Sequence, residues 1–157
     1  MWLLVSPGNP LKPSRFMAPL AERLASARRI ADGRRIVATD IERALGTVYT
    51  VDTVHALSTR FPRARFVWLM GADNLEQLPR WRRWREIVAT MPFAVVPRPT
   101  YNHRALAGLA AHRLAGARLS AHKAPALADY TPPAWVFLPA PQHKASASAI
   151  RAALSGV

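Results

Sequence analysis

Five consecutive apolar residues, Phe66-Val67-Trp68-Leu69-Met70, run without polar alternation and stop at Gly71. A strand reads this way when helices cover both of its faces, as in a parallel α/β sheet. Asp73, with Glu76 three residues on, gives a helix-start signal of the capping-box kind. A buried strand therefore hands over to a polar loop carrying a carboxylate at its C-terminal end. In open α/β sheets that is the edge where ligands sit. Trp81-Arg82-Arg83-Trp84 follows, placing aromatic faces beside guanidinium groups. That combination suits a flat ring bearing negative charge.

The flanking sequence repeats the alternation of strand and helix. Met1 to Val5 is a short apolar run leading into the turn-rich Ser6-Pro-Gly-Asn9-Pro-Leu-Lys12-Pro13. Phe16 to Ile30 has helical periodicity through Met17, Leu20, Leu24 and Ala27. Ile36 to Ala38 reads as a brief strand, with Thr39 to Glu42 as the loop after it. Thr50 is the expected N-cap of a helix that turns Val54, Leu57 and Phe61 to the core and closes at Pro62. Trp84 to Ala89 reads as a short helix, and Phe93 to Val96 as a buried strand ending in Pro97-Arg98-Pro99. Residues 101 to 118 read as one Ala- and Leu-rich helix, and 119 to 134 as an irregular connection. Trp135 to Leu138 is a last strand, and His143 to Arg151 leads into a C-terminal helix. The fold class that follows is α/β: a doubly wound, mostly parallel sheet in a single domain spanning residues 1–157.

Composition narrows the class. Half of the 157 residues are hydrophobic and 20% are charged, which argues against a disordered chain. No apolar run reaches membrane-spanning length, so a cytoplasmic protein is expected. The absence of cysteine removes disulfide and thiolate chemistry. A net charge of +13 favours anionic partners, nucleotides or nucleic acid among them.

Common catalytic signatures are missing. The sequence has no Gly-x-Gly-x-x-Gly, no Walker-type loop and no Gly-x-Ser-x-Gly elbow. Its five histidines are scattered at 55, 103, 112, 122 and 143, without metal-ligand spacing, and read as surface residues. What remains is a set of polar loops, each at the C-terminal end of an expected strand: Asn9 to Lys12, Thr50 to Thr53, Gly71 to Asn74 with Trp81, Arg98, and Ser146 to Arg151. Singly, each has a plain explanation. Asp73 could cap a helix, Trp81 could be a core aromatic, and Ser146 or Ser148 could be an N-cap.

Taken in order, these motifs resemble bacterial nicotinate-nucleotide adenylyltransferase. The matching pieces are Ser6-Pro-x-Asn9-Pro-x-Lys12, Tyr49-Thr50-x-Asp52-Thr53, Trp68-x-Met70-Gly71-Ala-Asp73-Asn-Leu75 with Trp81-x-x-Trp84-x-x-Ile87, Pro97-Arg98-Pro99 and Ser146-x-Ser148-x-Ile150-Arg151. The resemblance implies a Rossmann-like nucleotidyltransferase fold and adenylyl transfer from ATP to nicotinate mononucleotide, assisted by Mg2+, in NAD biosynthesis. It implies that Trp81 stacks on the nicotinate ring, and that Thr50, with the backbone after Trp81, binds the ring carboxylate. Thr50 and Arg82 near the ring would favour nicotinate over nicotinamide. A helix N-terminus suits a carboxylate because its free N–H groups and dipole favour negative charge. On the same footing Gly71, Asp73, Ser146, Ser148 and Arg151 line the ATP side, and Lys12 is a candidate phosphate contact. No dedicated metal ligand is implied, and the resemblance is compatible with a homo-oligomer.

One departure matters. The family opens with a strand, a His-x-Gly-His loop and a helix, whereas Met1 to Val5 matches its second strand. No catalytic residue can therefore be assigned, since the family's histidines grip the triphosphate. The first strand is central in that fold, so its absence should leave unpaired strand edges. The 157 residues are accordingly expected to be inactive or poorly stable as written, with two competing explanations: a start codon placed too far downstream, which is favoured, or a genuine truncated remnant. The alternative reading is a basic, non-catalytic protein binding nucleic acid or nucleotides through its charge, with Arg80, Arg82, Arg83 and Arg85 as main contributors.

Overall fold

The computed structural model describes residues 1–8 and 17–141. The chain divides into two compact units, Met1–Ala64 and Arg65–Val157. Both are built from parallel strands flanked by helices, as the α/β reading requires.

In the first unit, β1 (Trp2–Leu4) pairs in parallel with β2 (Val37–Thr39), in the register Trp2 to Val37 and Leu4 to Thr39. The crossover between them contains α1 (Leu20–Ile30). The helix starts four residues later than its periodicity suggests, because Pro19 takes the N-cap position and disfavours helical backbone at the residue before it. The stretch after β2 is helical where a loop was expected: α2 (Ile41–Leu45) follows at once and ends on Gly46 at φ 65°. The left-handed conformation at Gly46 is what lets the chain leave the helix there. The unit closes with α3 (Thr50–Arg60), which buries Val51, Thr53, Val54 and Leu57. Phe61 lies just beyond it, meeting the Trp2 ring edge-on at 5.6 Å.

The second unit holds four parallel strands in the order β3-β4-β6-β5: β3 (Trp68–Gly71), β4 (Phe93–Val96), β5 (Arg118–Leu119) and β6 (Trp135–Phe137). Period-two alternation sorts the inner strands into two faces. Phe93, Val95 and Trp135 join Met70, Leu75, Leu78 and Val88 in one core, while Ala94 and Val136 join Leu127 and Ala134 in another. The Phe93 and Trp135 rings stack 5.6 Å apart at an interplanar angle of 6°, and Trp135 Nε1 donates to the Leu114 carbonyl at 2.8 Å. One face is covered by α4 (Ala72–Gln77), α6 (Asn102–Leu106) and α7 (Leu109–Arg113); α5 (Trp84–Thr90) leads into β4. The other face is covered by a 3-10 segment, Ala121–Asp129. The sheet is thus doubly wound.

Two expectations change here. The Ala-rich stretch is two short helices, not one, because extended backbone at Gly108 separates α6 from α7. The Phe66 to Met70 run is not covered on both faces, since Leu69 is 46% exposed. Among the described residues β3 hydrogen-bonds only to β4, and β1 only to β2. Trp2 and Leu4 on β1 are likewise 40% and 41% exposed.

Candidate functional site

The C-terminal ends of β3 and β4 lie side by side, with Gly71 in register with Val96. Gly71 is the N-cap of α4, which begins without an intervening loop. This displaces the capping box: Asp73 is the second helical residue and makes no capping hydrogen bond, and Glu76 faces Arg104 at 3.7 Å. The Asp73 carboxylate instead lies back over Gly71, with Oδ1 3.4 Å from Arg98 Nε. That oxygen is sealed from solvent and has no hydrogen-bond partner.

Arg98 stands two residues beyond β4, in a loop with an unusual backbone. Its N–H donates to Asn102 Oδ1 at 2.7 Å, and its carbonyl accepts from the Tyr101 N–H at 3.2 Å. Thr100 within the turn has φ 69°. A β-branched residue in the left-handed region is disfavoured, and such strain collects at functional sites. Pro97 and Asn102, with Ala121 and Phe137 to Ala140, line an open depression of about 290 Å3 beside this loop. It sits beyond the C-terminal ends of β4 and β6, where open α/β sheets take ligands.

Trp81 belongs to the same unit, beside Trp68 at the start of β3. It follows the 3-10 turn Leu78–Arg80 and is half-buried, with the Trp68 ring 5.5 Å away at 51°. Its Nε1 is buried and lacks a hydrogen-bond partner. Trp84 contrasts with it, because the Arg85 guanidinium lies 5.8 Å from its ring centroid. Between the two tryptophans Arg83 adopts φ 51°, held by donation from Nε to Glu86 Oε1 at 2.8 Å and by a second bond from Nη2 to Oε2. Arg82 is exposed.

Thr50 belongs to the first unit. Tyr49, with extended backbone, is the N-cap of α3, so Thr50 is its first helical residue and not the cap itself; helix ends shift by a residue in this way. The Tyr49 side chain makes no capping hydrogen bond. The turn before α3 is fixed from below. Thr53 Oγ1 donates to Glu42 Oε1 at 2.9 Å and lies 2.9 Å from Thr47 Oγ1, while Glu42 Oε2 is buried without a partner.

Lys12, Ser146, Ser148 and Arg151 lie outside the described residues. Of the other sequence candidates, Gly71 and Asp73 meet directly, and Trp81 and Arg82 follow in the same unit. Arg98 emerges as a partner of Asp73, a pairing that Pro97-Arg98-Pro99 signalled only as a basic group at a strand end. His55, His103, His112 and His122 are all exposed. Among the described residues no group of three or more His, Asp or Glu side chains could hold a metal ion, and no helix is long and apolar enough to cross a membrane.

Residues 1–153 match the model of the cytidylyltransferase-like family. A probable nicotinate-nucleotide adenylyltransferase of Gluconacetobacter diazotrophicus is 62% identical over 152 residues, 97% of this chain and 71% of that protein. Its namesake in Gluconobacter oxydans is 58% identical over 151 residues, 96% of this chain and 77% of that protein. A third, from Parvibaculum lavamentivorans, is 53% identical over 151 residues, 96% of this chain and 75% of its own length. With a family match over residues 1–153 and identity at this level along nearly its whole length, the chain belongs to the cytidylyltransferase-like family and, within it, to the nicotinate-nucleotide adenylyltransferases, a family of enzymes.

Proposed function

We propose that this chain serves adenylyl transfer from ATP to nicotinate mononucleotide, giving nicotinate adenine dinucleotide and pyrophosphate in NAD biosynthesis, as a single nucleotidyltransferase-like domain of the cytoplasm. The observation that carries the reading is the meeting of Gly71, Asp73 and Arg98 where β3 and β4 end, in a chain 62% identical to a relative of that name. A phosphate oxygen of the mononucleotide attacks the α-phosphorus of ATP in line. A new P–O bond forms there while the bond to the pyrophosphate oxygen breaks and its electron pair leaves with pyrophosphate. Such a reaction asks the protein chiefly for positioning and charge stabilisation.

In this reading Trp81 stacks on the nicotinate ring, with Trp68 backing it. The start of α3 at Thr50 and the backbone and side chain of Arg82 take the ring carboxylate. Gly71 and Asp73 face the ATP side together with Ser146, Ser148 and Arg151, and Lys12 contacts phosphate. Mg2+ bound through the phosphates of ATP would supply charge neutralisation there, since it commonly binds through substrate phosphates and keeps several waters. No histidine among the described residues is assigned a catalytic part.

The test is an equilibrium titration of the purified chain with nicotinate mononucleotide and, separately, its nicotinamide analogue, read by tryptophan fluorescence. Saturable quenching with clear preference for the carboxylate ligand is the expected result. Failure of nicotinate mononucleotide to bind, or preference for the amide, contradicts the reading.

A further inference from the structure

We infer that Arg98 is a positioning residue that holds the Asp73 carboxylate in place over Gly71, and that Gly71 is required there for space. The inference rests on the reading above, in which Asp73 faces the nucleotide. Parallel pairing of β3 with β4 brings the three residues together: Gly71 ends one strand opposite Val96, and Arg98 follows two residues on. Gly71 has φ −78°, an ordinary conformation for any residue, so its backbone does not demand glycine. The surroundings do. A Cβ at position 71 would collide with Asp73 Oδ1 and stand 2.9 Å from Arg98 Nε and 3.3 Å from Arg98 Cγ.

The pair is poised, not consumed. Asp73 Oδ1 is out of contact with solvent, lacks a hydrogen bond and has Arg98 Nε at 3.4 Å, too long and misaligned for a tight charged hydrogen bond. A buried, unsatisfied carboxylate oxygen is costly, and such a group persists where a ligand's donor completes it. The Arg98 backbone is fixed on both sides by Asn102 and Tyr101, in a turn whose Thr100 is held at φ 69°. The side chain of Arg98 is 55% exposed and that of Asp73 29%, so both reach solvent while Oδ1 of the carboxylate is sealed from it.

The test is a double-mutant cycle on ATP affinity, measured by calorimetry on the purified chain, with nicotinate mononucleotide affinity and Tm as companions. Arg98→Gln should weaken ATP about fivefold, the upper end for a partly exposed pair. Arg98→Lys, which keeps the charge without the planar fork, should recover part of that loss. Mononucleotide affinity should stay within about twofold, and Gly71→Ala should weaken ATP as much as Asp73→Asn does. In an Asp73→Asn background, Arg98→Gln should cost nothing further. An equal loss in both backgrounds would make Arg98 a direct nucleotide contact and overturn the proposal. Equal losses for both ligands together with a lowered Tm would reduce it to a structural role. Unchanged ATP affinity in Arg98→Gln overturns the proposal while leaving the site reading intact. Absence of ATP binding by the unaltered chain overturns the reading, and the proposal with it.

Discussion

Thr53 Oγ1 donates to Glu42 Oε1 at 2.9 Å, joining α3 to α2 through a hydroxyl and a carboxylate that are both buried. The bond lies one helical turn inside the end of α3 that carries Thr50, so it fixes the backbone on which the proposed carboxylate contact depends. Thr47 Oγ1 extends the chain at 2.9 Å from Thr53 Oγ1.

Thr53→Val keeps the volume but removes the donor, leaving both Glu42 oxygens buried and unsatisfied. A loss of about 1–3 kcal/mol in unfolding free energy is expected. Thr53→Ser, which retains the hydroxyl, should lose less. Denaturant titration of the two variants checks this, and equal stability of Thr53→Val with the unaltered chain would show that the network carries no weight.

The Phe93 and Trp135 rings stack in the core between β4 and the helices. Phe93→Ala should cost about 3–5 kcal/mol, as large aromatic deletions do. Leu69→Ala, at an exposed position on the same sheet, should cost well under 1.5 kcal/mol. Thermal melts of the two variants should differ plainly in Tm.

Asp32 lies in the turn after α1, and its Oδ1 accepts from the backbone N–H groups of Ile36 at 2.8 Å, Arg34 at 2.9 Å and Arg35 at 2.7 Å. These bonds, that from Ile36 first, hold its pKa below the ordinary carboxylate value. A depressed folded pKa contributes stability above the unfolded value of about 3.9, and the contribution disappears as pH falls through the folded value. Asp32→Asn should therefore lower Tm at pH 7. Melts repeated from pH 7 down to pH 2 should show the difference narrowing below about pH 4; a gap independent of pH would contradict this.

The basic surface makes its own prediction. Of the four arginines around the tryptophans, Arg83 is bonded to Glu86 and Arg85 lies against Trp84. Duplex DNA binding is expected to be weak and to fall steeply with salt, becoming negligible near 0.15 M, in the manner of counterion release. Tight binding at that salt, lost in Arg80→Ala and Arg82→Ala, would favour the nucleic-acid alternative.

Much of this architecture was legible in the sequence. The apolar runs at Phe93 and Trp135 are strands within a residue of their expected ends, because both faces of each are covered and the pattern records it. The Phe66 to Met70 run carries the same pattern, yet Leu69 is exposed, since hydrophobicity registers a tendency to be covered and not the cover itself. Asp73 looked like half of a capping box because local spacing is all a sequence displays. Its actual partner, Arg98, is 25 positions away, brought there by strand pairing. Nor does any local signal set a threonine at φ 69°, as at Thr100, where the surrounding turn overrides intrinsic preference. Thr50 and Trp81 were legible as motif residues, and each stands at the end of an element, on α3 and after a 3-10 turn.

The most direct measurement is the dissociation constant for nicotinate mononucleotide of Trp81→Ala and Trp84→Ala beside the unaltered chain, by calorimetry. Trp81 is half-buried on Trp68 with its Nε1 unsatisfied, whereas the Trp84 ring is engaged by Arg85. Loss of a stacking aromatic typically costs about 1–3 kcal/mol, so Trp81→Ala should weaken binding by about tenfold or more and Trp84→Ala by less than about threefold. Equal effects of the two substitutions, or no effect of Trp81→Ala, would contradict the account of this site.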